Sequence, residues 1–385
     1  MKQRIHSIDI VRGLIMIIMT LDHVRDFLGA PTPSPTNMQT TTVILFFTRW
    51  ITHFCAPTFV FLSGTSAFLA GQRRTKSELS VFLLKRGAWL ILSDILIISL
   101  LFTFDPTYHV VVFEVLSAIG AGMIILALLI RAPVKVIAAI GLLIIFGHNL
   151  LDNVQIPQGS AGGNVVTIFF TAVASFFPLG ANRTLVELYS IIPWTGAMLL
   201  GYAFGSLYKA DFSAESRRRI LLLSGVALSG LFIILRVVNH YGDPAPWAIQ
   251  RNGAHTFISF LNASKQPPSA IYLCMTLGPV LIFLSSAEKI SNWFSAVCEV
   301  YGNVPYFYFI MHLTAIRIIN VVLVMVQGIP IKFTGFPLVW QADGFGYPLW
   351  AVYLFWPLVV MLLYFPCKWY GQYKSTHKQW WLSYI

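Results

Sequence analysis

Long apolar segments separated by short polar ones dominate this sequence. A helix needs about 20 mostly apolar residues to cross a bilayer, and the segments of roughly that length lie at Ile8–Leu28, Val43–Ala70, Val81–Phe104, Val112–Ile130, Val134–Leu151, Glu187–Tyr208, Ile220–Asn239, Ser269–Ala287, Val304–Gln327 and Leu349–Trp369. The pattern predicts an all-α polytopic membrane protein with about ten transmembrane helices, in a single domain over residues 1–385. The apolar segment Asn164–Phe177 is too short to span, so we expect a re-entrant or interfacial piece there.

Basic residues are distributed unequally between the connecting segments. With the N-terminus inside, one side holds 17 of them: Lys2, Arg4, Arg73, Arg74, Lys76, Lys85, Arg86, Arg131, Lys135, Lys209, Arg217, Arg218, Arg219, Lys289, Lys368, Lys374 and Lys378. The other side holds four: Arg183, Arg251, Lys265 and Lys332. Because short cytoplasmic loops are enriched in Lys and Arg, we expect both termini to be cytoplasmic and the number of spans to be even.

The composition supports a membrane protein and excludes a water-soluble globular domain. Of the 385 residues, 57% are apolar and only 11% are charged, whereas soluble domains contain about 25% charged residues. The net charge of +11 follows mostly from the topology and predicts no nucleic-acid partner. The four cysteines show no paired spacing, so neither a disulfide framework nor a thiolate metal site is indicated. The charged first span is not typical of a cleavable signal peptide.

Ionisable residues within membrane helices are costly and therefore mark candidate functional sites. The first helix carries six: Asp9, Arg12, Asp22, His23, Arg25 and Asp26. Arg12 and His23 are eleven residues apart, which places them on one face about 16 Å apart along the axis. A guanidinium is suited to a phosphate-bearing ligand from the cytoplasm, and an imidazole is suited to proton transfer.

These properties define the candidate site on the first helix. We predict that Arg12 and its neighbour Asp9 bind the cofactor, and that His23, with Asp22 and Asp26, is catalytic. The structural alternative is an Asp9–Arg12 pair near the headgroups and a His23 that is hydrogen-bonded inside the bundle.

Two further helices contribute candidates. Arg49 and His53 are separated by one helical turn and precede Pro57, which is expected to kink its helix. His53 is either a second catalytic group or a polar packing residue, and Arg49 is either an ion partner for an aspartate of the first helix or a contact to the cofactor. His312 lies within the ninth span and is assigned to cofactor binding. The three histidines lack metal-ligand spacing, so no metal is predicted.

Other ionisable residues and motifs narrow the function. Glu114, His148, Arg236 and His240 lie near span ends, where long side chains are expected to snorkel to the interface. The sequence contains no GxGxxG, P-loop, HExxH or GxSxG motif. The charged helices are compatible with an enzyme or with a proton-coupled or anion transporter, whereas a non-catalytic scaffold would not need them.

Several stretches carry a family resemblance: Arg4–Gly13, Leu21–Asp26, Phe59–Gly64, Ile192–Gly196, Leu200–Tyr202, Gly302–Pro305 with His312, and Trp380–Tyr384. Together they resemble the bacterial DUF1624 membrane family, which is related to the catalytic domain of heparan-α-glucosaminide N-acetyltransferase. The Arg12-x10-His23 spacing also resembles the Arg-x10-His motif of the broader acyltransferase-3 membrane family.

The resemblance implies an enzyme of the bacterial inner membrane. This enzyme would transfer an acyl group, most simply an acetyl group, from cytoplasmic acyl-CoA to a hydroxyl or amine of a sugar or glycan on the outer side. The resemblance is also compatible with a homodimer. The lysosomal enzyme is similar in having Asn at the position of His23 and its active His in the following loop. Here Gly29–Thr42 contains no His, so the acyltransferase-3 pattern implies His23 as the base, with His53 as the alternative.

Overall fold

The computed structural model describes residues 5–32, 34–152, 154, 160–171, 174–330 and 342–383. The basic residues Lys2, Arg4 and Lys332, which entered the topology argument, lie outside the described residues. The same holds for Tyr384, which entered the family resemblance, and for residues 331–341.

Helices make up most of the described chain. They are α1 (His6–Leu28), α2 (Val43–Trp50), α3 (Cys55–Gly71), α4 (Lys76–Ser93), α5 (Ser99–Thr103), α6 (Val115–Leu129), α7 (Val134–Gly147), α8 (Ala161–Val166), α9 (Ile191–Phe204), α10 (Ala214–Val238), α11 (Gly253–Leu261), α12 (Ala270–Ala287), α13 (Trp293–Gly302), α14 (Pro305–Val326), α15 (Leu349–Leu362) and α16 (Tyr364–Thr376). The strands are β1 (Val110–Phe113), β2 (Ser175–Pro178) and β3 (Thr184–Glu187). The 3₁₀ segments are Ile51–Phe54, His148–Leu151, Gly205–Tyr208 and Trp380–Ser383, and the π-helical turns are Asp94–Ile98 and Thr167–Thr171.

Within the described residues, six helical segments are long and apolar enough to cross a membrane: Val43–Gly71, Val134–Leu151, Ala214–Val238, Ala270–Ala287, Pro305–Val326 and Leu349–Thr376. Helix α1 has 23 residues but is not among them, because it carries five Asp and Arg side chains. The chain is therefore a mainly helical, multi-pass membrane protein. The count of ten spans and the cytoplasmic side of the termini stay predictions.

The structure refines two predicted helices and corrects the all-α class. The predicted span Val43–Ala70 is present as the helical segment Val43–Gly71, which contains a 3₁₀ turn at Ile51–Phe54 just before Pro57, whose missing N–H falls in the first turn of α3. The helix predicted from Glu187 begins only at Ile191. The chain is also not purely α-helical, since a small sheet of strand order β1-β3-β2 is present; β2 and β3 form an antiparallel pair in which Ser175 lies opposite Glu187.

Two compact units make up the chain, and the prediction of a single domain stays a prediction. Unit 1 comprises Met1–Cys55, Ile97–Val110 and Ser286–Ile385. In it, α1 packs against α13, α14 and α15. The crossing of α1 and α13 requires glycine: a Cβ at Gly13 would lie 1.8 Å from the carbonyl oxygen of Cys298, and one at Gly302 would lie 1.9 Å from that of Asp9. This close approach fixes α1 within the core of unit 1.

Unit 2 comprises Ala56–Leu96 and Val111–Ser285. Helix α4 packs on α6, and α9 packs on both α6 and α7. A cavity of about 250 Å³ in this unit is lined by residues that include Asp152, Arg236 and Asp243.

Candidate active site

A pair of buried histidines joins α1 and α14 within unit 1. His23 of α1 and His312 of α14 place Nδ1 and Nε2, respectively, 2.6 Å apart. The two rings are stacked with their centroids 4.9 Å apart. His23 is 8% exposed and His312 is fully buried. The structure thus joins two predicted site residues that are 289 positions apart in the sequence.

Aromatic side chains enclose the histidine pair. Phe102 and Phe309 contact the His23 ring edge-on, with centroids 5.8 and 6.2 Å away. Tyr308 stacks on His312, and its hydroxyl lies 2.7 Å from Thr20 Oγ1 on α1. Helix α14 begins with Pro305 in its first turn, a position where the missing N–H costs no hydrogen bond. The imidazoles therefore lie in a mostly apolar pocket with fixed ring orientations.

Charged residues next to His23 form a compensated network. Asp22 pairs with Arg25 at 2.7 Å and with Arg49 of α2. Asp26 accepts a hydrogen bond of 2.7 Å from Arg25. The network contains two carboxylates and two guanidinium groups, so it is electrically neutral. Arg49 makes the contact that the ion-partner interpretation expects.

At the other end of the stripe on α1, Arg12 pairs with Asp9 at 3.3 Å. The side chains are 19% and 14% exposed, so this pair is accessible only in part. A purely structural Asp9–Arg12 pair would show the same contact. The pairing by itself therefore does not indicate that these residues bind a ligand.

The remaining predicted residue, His53, lies in the 3₁₀ turn Ile51–Phe54 and is 2% exposed. This turn packs on α1, and the thiol of Cys55 lies 3.7 Å from the carbonyl oxygen of Ile15. Within the part of the chain that the structure describes, no group of three or more His, Cys, Asp or Glu side chains is arranged to hold a metal ion.

Two residues near the pair have structural partners that the sequence did not reveal. Arg317 of α14 donates to the carbonyl oxygens of Leu101 and Phe102 at 2.7–2.9 Å and to Asn320 Oδ1 at 3.0 Å. Asn320 in turn donates to the carbonyl oxygen of Phe27 at 2.8 Å. These contacts hold the backbone of Phe102, whose ring faces His23. The only sequence signal for these contacts was the spacing of Arg317 and Asn320 by three residues in an apolar helix, which places both side chains on one face.

The turn after α5 is stabilised by a carboxylate outside the predicted spans. Asp105 is buried and accepts hydrogen bonds from the backbone N–H groups of Thr107 and His109, each at 2.8 Å. Burial opposes ionisation of Asp105, but the hydrogen bonds from Thr107 and His109 outweigh it and lower the pKa of the carboxyl to about 2.

Comparison with known proteins assigns the family. Residues 4–235 match the family described as heparan-alpha-glucosaminide N-acetyltransferase, catalytic. The match covers Arg12, His23, Arg49 and His53, whereas His312 lies beyond it. No curated protein matches the chain. Because the matched residues make up more than half of the chain, it belongs to the family of the heparan-alpha-glucosaminide N-acetyltransferase catalytic domain, a family of membrane acyltransferases.

Proposed function

We propose that this protein transfers an acyl group from cytoplasmic acyl-CoA, in the first place acetyl-CoA, to a hydroxyl or amine of a sugar or glycan on the outer side of the membrane. The family supports acyl transfer as the reaction class. The observation that carries the proposal is the placement of His23: it is buried on α1, its ring is held by a hydrogen bond, and Arg12 lies three turns away on the same helix.

His23 is the proposed general base. Its imidazole removes the proton from the acceptor O–H or N–H while the acceptor atom attacks the thioester carbonyl carbon. The carbon–sulfur bond then breaks, and the imidazolium returns its proton to the leaving CoA thiolate. In a covalent variant, His23 Nε2 attacks the thioester carbonyl carbon, the carbon–sulfur bond breaks, and CoA leaves as the thiolate. The acceptor oxygen or nitrogen then attacks the acyl-imidazolium, which releases neutral His23, and the acceptor proton goes to the CoA thiolate. His53 remains the alternative base.

Donor binding is proposed for Arg12. A guanidinium binds phosphate oxygens in a bidentate manner, and Asp9 orients the side chain from one turn away. The distance of about 16 Å between Arg12 and His23 along the axis is of the order of a pantetheine arm. Arg49 and His312, also assigned to donor binding from the sequence, contact Asp22 and His23, so we assign them to support of the site.

The proposed membrane arrangement follows from the distribution of basic residues. Ten spans with both termini in the cytoplasm place the Arg12 end of α1 near the cytoplasm and the His23 end in the outer half. A bacterial inner membrane would give the enzyme acyl-CoA on one face and glycans on the other.

The test uses the full-length protein in proteoliposomes with radiolabelled acetyl-CoA and glucosamine or glucose as acceptor probes. His23→Ala should lower acyl transfer about 10²–10⁴-fold, the usual contribution of a general base, while acetyl-CoA still raises its melting temperature. His53→Ala should have a smaller effect. Unchanged transfer by His23→Ala would overturn the assignment, and a loss confined to His53→Ala would move the base to that residue.

Donor binding is tested separately. Arg12→Gln should abolish most of the thermal stabilisation by acetyl-CoA, because an amide cannot replace a guanidinium at a diphosphate. The matched control is Arg131→Gln, which removes an exposed arginine outside the site and should keep the stabilisation. Equal stabilisation of both variants would exclude Arg12 as the phosphate contact.

A further inference from the structure

His312 has both ring nitrogens engaged within the chain. It is fully buried and lies outside the residues matched by the family. Its Nδ1 lies 3.0 Å from the carbonyl oxygen of Tyr308. A carbonyl oxygen only accepts hydrogen bonds, so Nδ1 of His312 carries a proton. In a neutral imidazole the other nitrogen, Nε2, then carries the lone pair.

The tautomer of His312 determines that of His23. Because His312 Nε2 accepts, the nitrogen 2.6 Å away, His23 Nδ1, must donate. A neutral His23 with its proton on Nδ1 has its lone pair on Nε2. We infer that His312 is a positioning residue, which holds His23 in the tautomer whose Nε2 acts as the base; this inference rests on the proposed function.

The opposite direction of the hydrogen bond is unfavourable. If His312 donated from Nε2, both of its nitrogens would be protonated and the ring would be a cation. Within the described residues, the hydrogen-bond partners of that ring are the backbone of Tyr308 and Phe309 and the imidazole of His23, with no carboxylate. Tyr308 and Phe309 also pack on it. A fully buried cation without an anionic partner costs several kcal/mol, so the neutral His312 is favoured.

The same hydrogen bond supports the proton transfer itself. When His23 Nε2 takes a proton, the ring becomes an imidazolium whose Nδ1–H still points at the lone pair of His312. His312 therefore takes the orienting position that a carboxylate occupies in a Ser-His-Asp arrangement. As a neutral group it stabilises the imidazolium less than a carboxylate would, which favours return of the proton to the leaving thiolate.

The anchor of His312 is itself held in place. Thr20 donates its hydroxyl proton to the carbonyl oxygen of Met16 at 3.0 Å, so the 2.7 Å contact between Thr20 and Tyr308 is donated by the tyrosine hydroxyl. This bond links α1 to α14 one turn from the histidine pair. The residue that supplies the carbonyl to His312 is thus fixed by both helices.

Two substitutions of His312 separate its hydrogen bonds from its volume. Gln has an amide N–H for the Tyr308 carbonyl and an amide oxygen for His23 Nδ1, whereas Phe fills the space without polar atoms. His312→Phe should lower kcat with acetyl-CoA and glucosamine about 10²-fold, with KM for acetyl-CoA changed less than about threefold. His312→Gln should stay within about tenfold of the unsubstituted enzyme.

A spectroscopic readout tests the positioning role without any turnover. In protein labelled with ¹⁵N-histidine, the ring nitrogens of His23, assigned by their loss in His23→Ala, should show a protonated Nδ1 and an unprotonated Nε2. His312→Gln should preserve this state, and His312→Phe should give a mixture of tautomers. An unchanged His23 tautomer in His312→Phe would overturn the inference, even if that variant is inactive. An inactive unsubstituted enzyme with the Nδ1-protonated His23 would instead overturn the proposed function.

Discussion

The histidine pair of unit 1 and the buried arginine of unit 2 show two uses of an ionisable side chain inside a helical bundle. Arg236 is 1% exposed and donates to the carbonyl oxygens of Ala245, Ser259, Phe260 and Asn262 at 2.6–3.1 Å. Its N–H donors thus bind and hold the backbone that follows α10. His23 Nδ1 instead bonds to the imidazole of His312, and the inferred tautomer puts the lone pair of His23 on Nε2. The comparison is therefore between an ionisable group bonded to backbone carbonyl oxygens and one bonded to a second ionisable side chain, and we expect only the latter to take part in proton transfer.

Arg317 lies close to the histidine pair but resembles Arg236 in its contacts. Its guanidinium donates to two carbonyl oxygens and to an amide oxygen, and it lies over the ring of Phe27 at 4.4 Å. Proximity to the site thus does not give it a chemical role. The comparison predicts that arginine variants lose stability, whereas histidine variants lose turnover and keep their fold.

The largest expected effect is on stability, at Arg317. Replacement by Met removes the charge and leaves the carbonyl oxygens of Leu101 and Phe102 buried without their donor, which should cost about 3–5 kcal/mol of unfolding free energy. The measurement is thermal unfolding of the purified protein in detergent. Arg317→Lys, which keeps the charge but not the fork of donors, should recover less than half of the loss. A melting temperature unchanged in Arg317→Met would break the comparison, since the guanidinium would then be available for another role.

A similar but smaller effect is expected at Arg236. Arg236→Met should cost about 2–3 kcal/mol, because its carbonyl partners lie in an irregular segment and in α11, where water can replace part of the lost bonds. Acyl transfer per folded molecule should stay within about twofold, which thermal unfolding and transfer assays on the same samples will show. A tenfold loss of transfer without loss of stability would assign Arg236 a functional role and remove the contrast with His23.

Sequence reasoning could predict what lies on one helix and not what joins distant helices. The i,i+3 pairs Asp9–Arg12 and Asp22–Arg25 follow from helical spacing alone, and both are present. The contact between His23 and His312 depends on how α1 packs on α14, which no local pattern contains. The pairing of Arg49 could be predicted because an arginine within a span needs a carboxylate partner, and α1 contains several aspartates.

Two other expectations failed for physical reasons. Snorkelling was wrong for Arg236, which is buried, because the backbone after α10 folds back to supply carbonyl partners that a helical pattern cannot anticipate. The strands β2 and β3 were missed because each has four residues, and a run so short shows no distinguishable period. Arg317 could be placed in its helix from the sequence, but its binding to the end of α5 could not.

A third, smaller effect is expected at Asp105, a buried carboxylate that, like the two arginines, forms hydrogen bonds to the backbone of the chain. Its pKa is lowered from 3.8 to about 2, which corresponds to about 2 kcal/mol of stability. Because the folded pKa is the lower one, this contribution is present above pH 4 or so and is lost as the pH falls through about 2. Asp105→Asn should remove most of it at neutral pH and flatten the dependence of the melting temperature on pH between about 4 and 2. A variant with the same acid sensitivity as the unsubstituted protein would show that Asp105 does not stabilise the turn.

The smallest effect is expected at the exposed contact between His6 and Glu299. His6 Nδ1 lies 3.1 Å from Glu299 Oε1, and the His6 side chain is 73% exposed. Water solvates both groups about as well as they solvate each other, so His6→Ala should change the unfolding free energy by less than about 0.5 kcal/mol. Since His6 and His23 lie on the same helix, this variant is also the matched control for His23→Ala, because it removes an imidazole from α1 at an exposed position outside the candidate site. Acyl transfer should therefore be unchanged in His6→Ala, measured beside His23→Ala in the same vesicles. A loss of transfer comparable to that of His23→Ala would mean that the N-terminal end of α1, and not the buried histidine pair, determines activity. The proposed difference between His23 and the arginines that bind the backbone would then not explain the activity.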